Sequence, residues 1–250
     1  MNRLNKRLAD TRAKGRKALV AYIVSGDPAP EATLPTMHAM VAAGVDVIEL
    51  GVPFSDPMAE GPTIQFAHER SLEHKTSLRD TMAVVKAFRE TDNETPVVLM
   101  GYANPVVRMG YQSFAEAAAA AGVDGLLTVD LPPEEAVDLN VELKKVEIEN
   151  IFLLAPTTTE ARCADVVKQA GGFIYYVSLK GVTGAGHLDT EEVQRKVEMI
   201  RGLTDLPICV GFGIKDAESA KAVTANADGA VVGSLLVAEM GRLAGQPVDE

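Results

Sequence analysis

The segment AAGVDVIEL, residues 42–50, ends a helical pattern with glycine and passes at once into a short apolar run. Residues 120–129, AAGVDGLLTV, repeat this transition, and residues 226–232, NADGAVV, repeat it loosely. Glycine commonly ends a helix, and short runs rich in β-branched residues are typical of strands. The repeat therefore predicts an α/β protein in which helices and strands alternate.

Eight short runs in the chain are apolar on both faces, as buried parallel strands are. Successive runs start 22 to 33 residues apart, which suits one strand, one helix and two short loops, except that 51 residues separate the second start from the third. That larger interval predicts an insertion after the second strand. The runs cover residues 18–24, 45–50, 96–101, 125–129, 151–155, 173–177, 206–210 and 229–232.

Helical patterns lie between these runs, at residues 31–43, 77–89 and 113–121, with further helix starts at Pro132, Asp189 and Asp216. The first seventeen residues predict an additional helix that covers the barrel floor. Without a break in composition, the whole chain is expected to form one (β/α)8 TIM-barrel domain, residues 1–250. A doubly wound open sheet is the alternative, disfavoured because no Gly-x-Gly-x-x-Gly motif follows the first strand.

The composition of the chain disfavours several classes of binding partner. The chain has 35 acidic and 24 basic residues, a net charge of −11, which disfavours binding to nucleic acid or to an anionic membrane. No apolar run approaches the roughly 20 residues of a membrane span, and the basic, polar N-terminus has no secretory signal pattern. Two cysteines, Cys163 and Cys209, fit a reducing compartment. We therefore expect a cytoplasmic protein.

Two carboxylates are the candidate catalytic groups. Glu49 lies near the end of an apolar strand, where a charge costs several kcal/mol unless it is paired or protonated. Active sites of barrels lie at this end of the strands, so Glu49 is predicted to be catalytic; a structural pair with Lys or Arg is the alternative. Glu60 ends the stiff loop of residues 51–62 and is either a second carboxylate facing Glu49 or an ordinary solvated acid.

Three glycine clusters follow the last three predicted barrel strands, at residues 181–186, 211–214 and 233–234. Barrels commonly bind phosphate in loops after strands seven and eight, through backbone N–H groups. The clusters therefore predict a phosphate site, although glycines also make plain tight turns. A cup of amides needs no net basic charge, so the acidic composition is no obstacle.

Other polar and aromatic residues leave alternatives open. Asp130 is either a site residue or a helix cap, and the tyrosines at positions 22, 102 and 175 either line a pocket or pack in the core. The histidines do not cluster and are expected to be surface residues rather than metal ligands, so no metal site is predicted. They are His38, His68, His74 and His187.

Residues 48–57, IELGVPFSDP, closely resemble the signature of the tryptophan synthase α subunit family. GVTG at 181–184, GFGI at 211–214 and VGS at 232–234 match the family at the corresponding strand ends. The similarity runs from about residue 18 to residue 237, and the loop after the second strand is its specific part.

This resemblance implies a lyase that cleaves indole-3-glycerol phosphate to indole and glyceraldehyde 3-phosphate, in L-tryptophan biosynthesis. The family's general acid/base falls on Glu49 and its second catalytic carboxylate on Glu60. Its phosphate contacts fall on Gly184, Phe212, Gly213, Gly233 and Ser234. Its substrate pocket falls on Tyr22, Tyr102, Leu127, Tyr175 and Thr183.

The resemblance also implies a β-subunit partner in an αββα heterotetramer. The β subunit receives indole through a tunnel and carries the pyridoxal phosphate, so no cofactor is expected in this chain. The loop between residues 53 and 60 would face the partner, and residues 179–189 would form a lid. The partner-facing residues are Pro53, Asp56, Pro57 and Met58.

The sequence departs from the family pattern in three ways. Glu60 stands where Asp is usual, which predicts a compensating backbone shift or a slow enzyme. Leu179-Lys180 stands where many relatives carry Arg, and only sixteen residues follow Ser234, which predicts a shortened C-terminal helix. Two alternatives to the lyase remain: another phosphosugar lyase or isomerase on the same barrel, and a low-activity regulatory subunit that mainly activates its β partner.

Overall fold

Parallel strands pair in chain order, β1 to β8, and close into a barrel in the computed structural model. The structure describes residues 2–178, 190–211, 214 and 216–247. The strands are β1 Ala18–Val24, β2 Val47–Gly51, β3 Val97–Gly101, β4 Gly125–Thr128, β5 Glu149–Leu154, β6 Ile174–Val177, β7 Ile208–Gly211 and β8 Gly229–Val232. The predicted TIM barrel is confirmed, and the open-sheet alternative is wrong because β1 also pairs with β8.

Helices surround the barrel. They are α1 Arg3–Ala13, α2 Pro30–Ala42, α3 Pro62–Glu73, α4 Leu78–Phe88, α5 Ala103–Met109, α6 Tyr111–Ala121, α7 Val137–Lys145, α8 Glu160–Val167, α9 Thr190–Arg201, α10 Ala217–Val223 and α11 Ser234–Arg242. The predicted insertion after β2 holds a loop and α3. Within the described part of the chain, none of these helices has the length and apolar character needed to cross a membrane.

One predicted helix start is wrong. Residues 132–136 form a turn, in which the carbonyl of Pro132 accepts from the N–H groups of Glu135 and Ala136 at 3.0 and 3.1 Å. Helix α7 begins only at Val137. A residue before proline is disfavoured in helical conformation, and Pro132 precedes Pro133, so the helix cannot begin at the first proline.

Aspartates explain the repeat that the sequence shows before β2, β4 and β8. The carboxylates of Asp46, Asp124 and Asp228 accept backbone N–H groups within the first two residues of the preceding strands at 2.9 to 3.0 Å. Each also pairs with an arginine at 2.8 Å: Arg16, Arg89 and Arg201, respectively. These charge-assisted bonds satisfy amides at the end of the barrel that is opposite the candidate site.

The barrel interior is closed at the same end by α1. Leu4 and Leu8 of this helix pack with the inward-facing side chains of the strands, among them Val20 and Val47. A Cβ atom at Gly172 would lie 2.7 Å from Leu4, so the helix approaches the barrel as closely as glycine permits. The N-terminal helix therefore covers the barrel floor, as the sequence predicts.

Leu4 offers a test of how helix α1 closes the barrel floor. Because its side chain is fully buried, Leu4→Ala should lower the free energy of unfolding by about 2–5 kcal/mol. Urea denaturation followed by circular dichroism measures the loss. Lys6→Ala, at an exposed position of the same helix, is the matched control and should change stability by less than about 0.5 kcal/mol. Equal effects of the two substitutions would contradict the packing of α1 described above.

Candidate active site

Glu49 points into the barrel from β2, level with Tyr22 of β1 in the strand register. The residue is 1% exposed, and among the described residues neither carboxylate oxygen has a hydrogen-bond partner. Burial raises the pKa of Glu49 to about 8. The group is therefore mainly a neutral carboxylic acid at pH 7, and the alternative of a structural ion pair finds no partner in the described part of the chain.

Glu60 is buried at the end of the loop that follows β2. The hydroxyl of Tyr102 donates to Oε2 of Glu60 and accepts the N–H of Ala59 at 3.0 Å. Burial raises the pKa of Glu60, although the bond from Tyr102 opposes the shift. Glu60 is thus not an ordinary solvated acid, because its carboxylate is held by a specific partner inside the site.

Tyr22 of β1 and Tyr175 of β6 interact electrostatically with both carboxylates. Burial, followed by the charges of Glu60 and Glu49, raises the pKa of Tyr22, and the same two charges act on Tyr175 besides its own burial. A Cβ atom at Gly51 would overlap the hydroxyl of Tyr22, and one at Gly211 would overlap that of Tyr175. Glycine at these two strand ends therefore leaves the space that the phenols occupy.

Helix α3 contributes a buried histidine that the sequence interpretation assigned to the surface. His68 is 2% exposed; its Nδ1 accepts the N–H of Phe54 at 3.0 Å, and its Nε2 lies 3.4 Å from the hydroxyl of Tyr22. Burial lowers the pKa of His68 to about 4. The surface prediction is wrong for this residue, which shares the inward helix face with Ala67 and Ser71. The spacing of His68 from the small residues Ala67 and Ser71, which places all three on one helix face, is the only sign of this burial that the helix sequence offers.

The remaining histidines differ from His68. His74 is exposed, and the ring of His38 lies 3.3 Å from the hydroxyl of Thr91. His187 lies outside the described residues. Within the described ranges, no group of three or more histidine, cysteine or acidic side chains is arranged to hold a metal ion.

The loop between β2 and α3 has a buried side and an exposed side. The ring of Phe54 stacks on that of Tyr102 with centroids 4.7 Å apart, and Pro53 is buried. On the other side, Met58 is 79% exposed, Asp56 is exposed and Pro57 is half-buried. Three of the four predicted partner-facing residues are therefore accessible, while Pro53 faces the protein interior.

Asp130 acts as a helix cap within reach of the site. Its Oδ1 accepts the N–H of Ala103, the first residue of α5, at 2.7 Å. Its charge also raises the pKa of Glu60, less than burial does, whereas the hydrogen bonds to Glu60 lower it. The two interpretations of Asp130, as a helix cap and as a site residue, are therefore compatible, because the capping carboxylate interacts with Glu60.

The predicted phosphate residues are described only in part. Gly233 caps the N-terminus of α11, Ser234 is the first residue of that helix, and a Cβ atom at Gly233 would lie 3.2 Å from the ring of Tyr22. Leu127 is buried in the barrel interior. The other candidates lie outside the described residues: Thr183, Gly184, Phe212 and Gly213, together with the predicted lid 179–189.

A (β/α)8 barrel with two buried carboxylates and three neighbouring tyrosines toward the carboxyl ends of its strands defines a barrel enzyme of the acid–base type. The comparisons specify the family. The sequence profile of "Tryptophan synthase alpha chain" matches residues 8–249, and the chain belongs to this family.

Individual relatives agree over nearly the whole length. The chain is 62% identical over 237 residues to the tryptophan synthase alpha chain of Thioalkalivibrio sulfidiphilus, covering 95% of this chain and 89% of the relative. It is 58% identical over 247 residues to that of Alkalilimnicola ehrlichii, covering 99% and 90%. The crystal structure of tryptophan synthase subunit alpha from Legionella pneumophila superposes with a TM-score of 0.91 at 45% identity, covering 97% and 90%.

The burial of Glu49 predicts an unusual pH dependence of stability. Because the folded-state pKa of about 8 exceeds the ordinary 4.5, the folded chain binds the proton more tightly, and stability falls as pH rises from 4.5 through 8. Glu49→Gln cannot ionise and should lack this part of the loss. Urea denaturation at pH 6 and pH 9 should show the variant gaining roughly a few kcal/mol relative to the wild type. A difference that does not change with pH would contradict the assigned environment.

Proposed function

We propose that this chain cleaves indole-3-glycerol phosphate by a retro-aldol reaction, with Glu49 as the general acid and base. The observation that carries the proposal is the neutral carboxylic acid at the end of β2, whose oxygens have no hydrogen-bond partner among the described residues. Membership in the tryptophan synthase alpha chain family, which catalyses this cleavage in tryptophan biosynthesis, supports it.

The reaction needs one proton to be donated and one to be removed, and a single carboxyl group can do both in sequence. The protonated Glu49 donates to C3 of the indole ring, and the carboxylate so formed then takes the proton from the side-chain hydroxyl next to the ring. The carbon–carbon bond breaks, its electron pair returns to the ring, and indole and an aldehyde are released. Glu49 ends protonated, as it began, so the cycle needs no external proton.

Glu60 is assigned the role of stabilising the positive charge that develops on the indole ring. Protonation at C3 makes the indole cationic, and a carboxylate that accepts the ring N–H stabilises that cation. Tyr102 engages Oε2 of Glu60, and we assign Oε1 to the ring N–H. We propose that the bond from Tyr102 holds the longer glutamate side chain where aspartate is usual in the family.

We assign the substrate phosphate to amides rather than to cations. The N-terminus of α11 at Gly233 and Ser234 presents N–H groups that have no acceptor within the helix, together with the positive end of the helix dipole. Gly184, Phe212 and Gly213 are proposed to complete the cup, with Thr183, Leu127 and the three tyrosines lining the pocket. Binding through amides agrees with the net charge of −11.

The family pairs with a β subunit, which carries the pyridoxal phosphate, so the α chain itself needs no cofactor. For this chain we propose that the exposed side of the β2–α3 loop, including Asp56, Pro57 and Met58, contacts that subunit in an αββα assembly. Burial of Met58, an apolar side chain that is 79% exposed, would favour association. We further propose that the chain acts as a single domain in the cytoplasm.

Indole release tests the function. The purified chain with indole-3-glycerol phosphate should form indole, faster when the β subunit is added, and Glu49→Gln should lower kcat by about 10²–10⁴-fold because the amide cannot transfer the proton. The wild-type rate should fall as pH rises through about 8, where Glu49 loses its proton. Full turnover by the variant would exclude Glu49 as the acid–base group.

Substrate binding separates this function from the isomerase alternative. Indole-3-propanol phosphate, which keeps the ring and the phosphate but cannot be cleaved, should bind both the wild type and Glu49→Gln. Binding of simple triose phosphates without binding of this analogue would instead favour another phosphosugar enzyme.

Position 60 tests the second carboxylate. Glu60→Gln removes the charge at nearly constant shape and should lower kcat at least about 10-fold, whereas Glu60→Asp keeps the charge and should stay within about 10-fold of the wild type. Steady-state indole release measures both variants. Full activity of Glu60→Gln would exclude a catalytic role for this carboxylate, whereas activity near zero in Glu60→Asp, with activation of the β subunit retained, would favour the regulatory alternative.

A further inference from the structure

His68 lies at a junction between the substrate pocket and the β2–α3 loop. Its ring is buried, and its two nitrogens face different neighbours: the backbone N–H of Phe54 at 3.0 Å and the hydroxyl of Tyr22 at 3.4 Å. We propose that His68 is a positioning residue for the lyase reaction, which anchors the start of this loop and aims the hydroxyl of Tyr22 into the pocket. The kinetic part of this inference rests on the proposed function, and the structural part does not.

The bond to Phe54 fixes the tautomer of the ring. A backbone N–H can only donate, so Nδ1 of His68 must be unprotonated, and the proton of the neutral ring is on Nε2. Nε2–H then faces the oxygen of Tyr22. At 3.4 Å this second bond is long, so the bond to Phe54 is the one that holds the ring.

The tautomer in turn decides what Tyr22 can do. Its oxygen accepts from Nε2–H of His68, so its own O–H is left to donate elsewhere. Burial and then the charges of Glu60 and Glu49 raise the pKa of Tyr22, so the phenol keeps its proton. The O–H of Tyr22 is therefore a donor available to the substrate or to the catalytic carboxylates.

The anchored loop leads to the second catalytic carboxylate. The ring of Phe54 stacks on that of Tyr102, and the hydroxyl of Tyr102 donates to Glu60. A change in the position of Phe54 therefore moves the ring against which Tyr102 stacks. Through this chain of contacts His68 influences Glu60 without touching the reacting atoms.

Helix α3 is a rigid base for this role. The hydroxyl of Ser71 donates to the carbonyl of Ser25 at 2.6 Å, which ties the helix to the end of β1. Arg70 binds both oxygens of the buried Asp27 at 2.6 and 3.1 Å. His68 thus projects from a helix that is fixed to the barrel within one turn of it.

Nitrogen NMR of the wild-type protein tests the structural part. In uniformly 15N-labelled protein at pH 7.5, His68 should show a protonated Nε2 and an unprotonated Nδ1. Tyr22→Phe should shift the Nε2 signal and leave Nδ1 nearly unchanged. The amide of Phe54 should be protected from hydrogen exchange. A proton on Nδ1, or a rapidly exchanging amide of Phe54, would overturn the anchoring.

Kinetics of three variants test the positioning. His68→Leu fills the space without hydrogen bonds and should lower kcat for indole release at least about 10-fold, with a smaller change in KM, because misplacement mainly affects the reacting geometry. His68→Asn offers both an acceptor and a donor and should recover most of the loss. His74→Ala, at the exposed end of the same helix, is the matched control and should behave as the wild type.

The outcomes are distinguishable. A folded His68→Leu variant with kcat within twofold of the wild type, or an asparagine variant no better than leucine, would overturn the positioning role. If His68→Leu does not fold, the asparagine variant and the NMR signals decide. Absence of indole release from the wild type would overturn the proposed function and the kinetic role together, and the NMR measurements would still judge the anchoring.

Discussion

The burial of Glu49, whose carboxyl oxygens find no hydrogen-bond partner in the part of the chain that the structure describes, is the constraint around which the site is arranged. A carboxylate in that position would be strongly disfavoured, so the group keeps its proton, as the pKa of about 8 indicates. The neighbouring phenols are buried polar groups that also remain neutral at pH 7. Around Glu49 the site therefore holds several exchangeable protons, which suits a reaction that moves protons within the substrate.

This constraint also bears on the two glycines beside the phenols. Tyr22 and Tyr175 can approach Glu49 only because Gly51 and Gly211 have no side chain where the hydroxyls lie. Any larger residue there would push a phenol away from the acid and admit water or leave a void. The low polarity around Glu49, and hence its protonation, depends on residues that carry no chemistry of their own.

Much of the fold follows from local pattern, because a buried parallel strand is recognisable as a short run that is apolar on both faces. All the strands lie within two residues of the predicted runs, and Glu49 is recognisable as a carboxylate near the carboxyl end of its run. The turn at residues 132–136 and the burial of His68 depend on tertiary contacts. The sequence places His68 on one helix face with Ala67 and Ser71, but only the position of α3 against β1 and the loop decides that this face is buried.

The aspartates before β2, β4 and β8 have a consequence for how the barrel assembles. Each carboxylate bonds the strand immediately before its own, across 20 to 27 residues of chain. Such a bond needs only two consecutive βα units, so it can form before the ring closes and has a low loop-closure cost. The barrel therefore contains locally fastened strand pairs, β1–β2, β3–β4 and β7–β8, and the joining of pairs, rather than of single strands, is the step that demands long-range order.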